Sequence, residues 1–291
     1  MLTKLMERDF IFLDGSMGAM LQKRGLRSGE WPYAMSITAP EVVESVQREY
    51  CAAGSDIIYT NTFALNAEDI AARGYTAEEL IAAAVGITKR ACAGQALTAL
   101  DIGPAGGMME PVGKLTHGHA YEWFKRQAIA GEAAGADLAV IETMSDLNET
   151  EIAIAAVREN TKLPVFVTMT FGQKGYTLTG CTPEQFGRMA EERGAFAAGI
   201  NCSLAPDEIF ATAKRLAEST SLPLIIKPNA GLPDGLTGEY SIGPEEFARQ
   251  MSMYTELGVK IVGGCCGTSP EYIKELRRVL SADREKSLPE N

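Results

Sequence analysis

Three cysteines are placed where they could hold one ion. Cys202 lies in "GINCS" (199–203), and Cys265 and Cys266 are adjacent in "IVGGCCGTSP" (261–270). Three thiolates with one open position suit a zinc ion used in catalysis, because a structural zinc is normally closed by a fourth protein ligand. Such an ion is electron-rich and a poor Lewis acid toward a carbonyl. Its strength is to take a fourth thiol, from a substrate, and keep it as thiolate near neutral pH, still nucleophilic toward soft carbon. The chemistry on offer is therefore alkyl transfer to a thiol. Asn229, in "KPNAGLP" (227–233), carries an oxygen that could fill the fourth position until the thiol displaces it; capping its own loop is the competing role. Two further readings stand beside the metal site, a thiol pair buried for packing and a redox pair. Adjacent cysteines form a poor disulfide with each other, which weighs against the redox pair. On the metal reading, Gly263, Gly264 and Gly267 give the loop the backbone angles needed to aim two successive side chains at one ion.

The elements that must position these residues repeat eight times. Short apolar, β-branched-rich runs occur at 10–15, 56–63, 96–104, 137–143, 164–171, 196–203, 223–231 and 259–267. Between them lie stretches with i, i+3, i+4 periodicity, such as "APEVVESVQREYCAAG" (39–54) and "TAEELIAAAVGITKRACAG" (76–94). Strands apolar along their whole length, alternating with helices, mean a parallel sheet covered by helices. Eight such units in one chain of this length predict an α/β fold, a single-domain (β/α)8 TIM barrel over residues 1–281, with a polar C-terminal tail at 282–291. No G-x-G-x-x-G follows the first strand, so the usual dinucleotide signal is missing. A barrel puts its chemistry where strands stop. The runs end on Asp14, Asn61, Asp101, Glu142, Asn201 with Cys202, Asn229, and Cys265 with Cys266. A barrel built for stability alone has no need of polar and thiol groups at that one level. His117 and His119, in "LTHGHAYEW", read as a polar helix entry and not as metal ligands.

Bulk properties narrow the partners. With 27 Lys and Arg against 38 Asp and Glu, the net charge of −11 leaves little material for a basic face, which argues against nucleic acid or an anionic membrane. No apolar run approaches the roughly 18–20 residues needed to span a bilayer. The start "MLTKLMERDFIFLDGSMG" has no signal-peptide core, since Glu7, Arg8 and Asp9 interrupt it, so a cytoplasmic location is expected. Thiols stay reduced there, and six cysteines in 291 residues are too few for a disulfide scaffold.

In order along the chain, "FLDGSMGAML" (12–21), "GSDIIYTNTF" (54–63), "GADLAVIET" (135–143), "GINCS", "KPNAGLP" and "VGGCCGTSP" (262–270) resemble the homocysteine S-methyltransferase domain family. The similarity is greatest to the homocysteine-binding domain of cobalamin-dependent methionine synthases. It covers nearly the whole chain and implies zinc on Cys202, Cys265 and Cys266, with homocysteine accepting a methyl group to give methionine. It also implies that Asp14 and Glu142 hold the homocysteine ammonium, and that backbone N–H groups of "GSMG" (15–18) hold its carboxylate. Betaine-using relatives carry a tyrosine shortly after the Thr-Phe pair of the second strand. Here that stretch is "NTFALN" (61–66), which disfavours betaine. A methyl group on cobalt sits on a macrocycle and must dock face-on, which requires an exposed, partly apolar rim. The loops "GSMGAML" (15–21), "GGMMEPVG" (106–113) and "NAGLPDGLTG" (229–238), rich in Gly, Met and Leu, suit one. The expected donor is therefore a methyl-corrinoid (cobalamin) presented by a separate protein or domain. S-methylmethionine or S-adenosylmethionine as donor, or a thiol-presenting subunit inactive on its own, are the alternatives.

Overall fold

Within each apolar run, successive side chains alternate between two faces, and this period of two builds two separate cores. The computed structural model describes residues 2–27 and 29–287. Its strands are β1 (Ile11–Phe12), β2 (Ile57–Tyr59), β3 (Leu97–Ile102), β4 (Leu138–Met144), β5 (Val165–Met169), β6 (Ala197–Asn201), β7 (Leu224–Lys227) and β8 (Ile261–Val262). All pair in parallel, in the order β1-β8-β7-β6-β5-β4-β3-β2. A parallel bridge between Leu13 and Ile57 returns β1 to β2 and closes the ring. Ile11, Ile57, Leu97, Ala99, Leu138, Val140, Phe166 and Ile225 fill the interior. Their neighbours Phe12, Ile58, Leu100, Ala139, Val167 and Ile226 face outward into the core shared with the helices. The expected (β/α)8 barrel is what forms.

A long helix follows each strand in turn: Pro40–Ala53, Ala77–Cys92, His117–Ala134, Leu147–Asn160, Pro183–Glu192, Pro206–Ala217, Pro244–Met251 and Pro270–Ser287. Their starts carry capping chemistry. Thr76 with Glu79, and Thr182 with Gln185, form reciprocal capping boxes, and five of the helices take proline in their first turn. The last helix runs beyond residue 281 as far as Ser287; residues 288–291 of the expected tail lie outside the described residues. No helix among the described residues is long and apolar enough to cross a membrane.

The alternation also explains the site. At the next inward position toward their C-terminal ends, β3, β4, β5, β6 and β7 present Asp101, Glu142, Thr168, Asn201 and Lys227, all buried. The barrel is apolar through its lower layers and polar in its last one.

Candidate active site

The three thiols come together. The Sγ atoms of Cys202, Cys265 and Cys266 lie within 4.8 Å of one another, and those of Cys202 and Cys266 are 3.9 Å apart. Three thiolates in a tetrahedron around zinc, each about 2.3 Å from the ion, stand about 3.8 Å apart, so the donor set fits this metal with little movement. Among the described residues this is the one His, Cys, Asp or Glu group with such geometry. The thiols also share protons. Hydrogen bonds from Cys265 and Cys266 hold the Cys202 thiol well below its ordinary value, and the bonds to Cys202 push Cys265 and Cys266 up.

One strand end frames all three. The backbone N–H of Cys202 donates to the Lys227 carbonyl at 3.1 Å, that of Cys265 to the Pro228 carbonyl at 2.7 Å, and that of Cys266 to Asn229 Oδ1 at 3.0 Å. The "KPN" after Ile226 is thus a template on which both cysteine loops lie. Asn229 uses one acceptor position of its oxygen in this way and is buried.

The expected role of the glycines needs correcting at two positions. Only Gly267 of the three has a left-handed backbone, with φ +82°. Gly263 and Gly264 are needed for space: a Cβ at Gly263 would lie 2.7 Å from Leu13 Cβ, and one at Gly264 2.5 Å from Thr268. The strained angles fall instead on Cys202 and Ser203, both at φ 62°, a conformation that costs a non-glycine residue of order 1–3 kcal/mol. Tyr240 packs its ring against Gly267 and is close enough to Cys266 to feel its charge.

Asp14 and Glu142 also converge, and a cation already faces them. Lys227 Nζ is 3.7 Å from Asp14 Oδ1, 3.9 Å from Glu142 Oε2 and 4.7 Å from the centre of the Tyr59 ring. Burial pushes Asp14 up to about 6 and Glu142 up to about 7, with Lys227 opposing both shifts. Burial alone would lower Lys227, but Glu142 and Asp14 hold it well above its ordinary value, so it stays charged. Asp14 is fixed by the Tyr59 N–H, which donates to Oδ2 at 2.8 Å, and its own carbonyl accepts from Gly264 N–H at 3.1 Å. The acid is therefore tied directly to the cysteine loop.

Asn201 joins the two clusters. β4 slips register between Ile141 and Met144, with Thr143 at φ 60°, and this bulge re-aims Glu142. Asn201 Oδ1 accepts from Thr143 N–H at 2.9 Å and from Thr168 Oγ1 at 2.8 Å. Its amide donates to Thr143 Oγ1 at 2.7 Å and faces Glu142 Oε2 at 3.4 Å and Cys265 Sγ at 3.9 Å. One side chain thus pins the bulge and touches both a carboxylate and a thiol.

Several expectations land elsewhere. His117 and His119 open the helix after β3 and are exposed, away from the thiols. Met20 and Leu21 are buried, so the 15–21 loop adds less to an apolar rim than its composition suggests. In the 15–18 turn, Ser16 N–H already donates to the Thr268 carbonyl, and Ser16 Oγ accepts from Ala19 N–H. Lys227 was overlooked as a site residue. Its signal was available: it stands two positions after inward-facing Ile225 and in register with Asn201.

Comparison with known proteins gives the chain's family and relatives of its fold. The methionine synthase of Mycobacterium leprae is 30% identical over 95% of this chain, and that of Mycobacterium tuberculosis 28% identical over 92%. The chain spans about a quarter of the length of these relatives, 25% and 24%. The fold matches the homocysteine methyltransferase MmuM from Escherichia coli in its metallated form, with a TM-score of 0.79 and 22% identity over 95% of this chain and 98% of that one. More distantly, the carboxyl transferase domain of Rhizobium etli pyruvate carboxylase shares the barrel at a TM-score of 0.54 and 14% identity, over 97% and 48% of the two chains. Residues 11–280, all eight strands included, match the family Homocysteine S-methyltransferase, and the chain belongs to that family.

Proposed function

We propose that the chain transfers a methyl group to the thiol of homocysteine, giving methionine, with zinc on Cys202, Cys265 and Cys266. The observation that carries this reading is the convergence of three thiols within 4.8 Å, framed by β7, beside the buried acids Asp14 and Glu142. Zinc so held supplies a fourth position at which a substrate thiol is kept deprotonated near neutral pH. Asp14 and Glu142 receive the substrate ammonium, and their placement just after β1 and on β4 fixes its distance from the thiols. Asn229 Oδ1, with one acceptor position left free, would hold the fourth position of such an ion in the absence of substrate. In the transfer, sulfur gains the methyl group, the thiol proton leaves to solvent, and the donor's leaving atom keeps the bonding pair.

The donor is a methyl-corrinoid carried by a separate protein or domain. Eight of the nine exposed large hydrophobic side chains among the described residues lie on connections that follow a strand, around the barrel mouth. They include Phe63, Met108, Val112, Leu178, Leu232 and Leu236. Such an apolar rim suits a docked macrocycle and its carrier, whereas a small donor is normally enclosed in a pocket. A reducing, cytoplasmic setting suits the free thiols. The test is a donor panel with zinc-loaded protein and homocysteine. Free methylcobalamin should give slow but measurable methionine. Efficient turnover with S-methylmethionine or S-adenosylmethionine, and none with methylcobalamin, would refute the corrinoid donor. Homocysteine binding without turnover on any free donor would identify a thiol-presenting subunit.

A further inference from the structure

The charged pocket contains more acid than two ammonium-binding carboxylates require. Asp101 ends the inward face of β3, is 5% exposed, and its Oδ1 has no hydrogen-bond partner. Its backbone is held from one side by two threonines: its N–H donates to Thr60 Oγ1 at 3.0 Å, and its carbonyl accepts from Thr62 Oγ1 at 2.6 Å. The residue's backbone is therefore fixed at the inward end of β3. Asp14 Oδ1 and the Tyr59 hydroxyl are also buried without a hydrogen-bond partner. Lys227 feels the charges of Glu142, Asp14 and Asp101 together. Three carboxylates against this one ammonium leave a formal surplus of two negative charges in a buried space, where an uncompensated charge is costly. Burial, and then the charge of Glu142, push Asp101 well above the usual carboxylate range. Spare carboxylate acceptors and surplus negative charge describe a site completed by one more donating cation.

We propose that Asp101 is a third carboxylate of the ammonium pocket, with Lys227 as its resident counter-charge. The inference rests on the proposed binding of the thiol at the metal. It assigns ammonium recognition to three carboxylates, Asp14, Glu142 and Asp101, with Lys227 holding part of their charge; Asp101 and Lys227 had no role.

The experiment uses protein loaded with cobalt(II) in place of zinc, in which a bound thiolate adds a charge-transfer absorption band. Homocysteine is titrated against 4-mercaptobutyrate, which has hydrogen in place of the ammonium group. Wild-type protein should prefer homocysteine by at least about tenfold, the scale of a hydrogen bond to a charged group. Asp101→Asn should lose most of that preference by weakening homocysteine alone, and Lys227→Gln should retain it. Asp101→Ser supplies the same comparison if the first variant does not fold by circular dichroism. A preference left intact in the folded Asp101 variant would overturn the proposal. So would equal wild-type affinities with a preference appearing only in Lys227→Gln, since Lys227 would then occupy the ammonium's own seat. No band with either thiol would contradict thiol binding at the metal, and this proposal with it.

Discussion

Cys202, Cys265 and Cys266 reach their places after their strands have ended, whereas Asp101, Glu142 and Lys227 reach theirs inside strands. The thiols depend on loop devices: left-handed angles at Cys202 and Ser203, close backbone approach at Gly263 and Gly264, and hydrogen bonds to the end of β7. The charged groups depend on alternation, each standing where the barrel interior would otherwise hold another apolar side chain. The first region is half-buried and can exchange a ligand. The second is almost fully enclosed and can discriminate by charge. On the proposed function, reactivity and recognition fall to neighbouring regions built by different means, and they can be perturbed separately.

The largest separation should come from Cys265→Ala. Zinc content should fall to background in elemental analysis while the barrel still melts cooperatively, because the thiol lies at the mouth and not in the core. Full zinc in that variant would disprove the ligand set. Asn201→Ala should instead affect both regions, since it strips partners from Thr143 and Thr168 and frees the bulge beside Glu142. A loss of about 2–4 kcal/mol in denaturant midpoint analysis is expected, the scale for several buried polar groups left unsatisfied. An unchanged midpoint would show that the bulge holds itself.

Asp14→Asn and Glu142→Gln should touch recognition alone. Each should weaken homocysteine binding by about 1.5–3 kcal/mol in calorimetry, the range for a hydrogen bond to a charged group, with zinc content unchanged. Equal weakening of 2-mercaptoethanol, which has no ammonium, would contradict the assignment. The smallest effect concerns pH. Asp14 is raised from 3.8 to about 6 and Glu142 from 4.5 to about 7, so between these limits the folded state holds protons that the unfolded chain releases. That contribution to stability is complete below about pH 4 and is lost as pH rises through about 6 to 7. Carboxylates shifted the other way, such as Glu184 beside Arg215 at about 2, act at lower pH and partly mask the acid side of the profile. Glu142→Gln should flatten the decline between pH 5 and 8, and a decline identical to wild type would remove Glu142 as its source.

Legibility in the sequence follows the same division. The barrel could be read because eight apolar runs alternate with capped helices, and the thiols because cysteines at two run ends share one level of a barrel. Asp14 and Glu142 were legible as polar run ends, and their role came through resemblance. Lys227 did not, because a lysine before proline at a strand end looks like a solvated terminus until its alternation with Ile225 is counted. The bulge at Thr143 and the left-handed Cys202 have no composition signal, since neither residue type announces a positive φ. The glycines of "VGGCCG" were recognisable as necessary, but whether for angle or for space depends on Leu13 and Thr268, which are close in the fold and distant from at least one of them in sequence.

Zinc K-edge X-ray absorption on the purified protein, with and without homocysteine, tests the central claim most directly. The account predicts three sulfur ligands and one oxygen or nitrogen in the free protein, changing to four sulfurs near 2.3 Å, about the usual zinc–thiolate distance, when homocysteine is added. A sulfur count that stays at three with saturating homocysteine would contradict it.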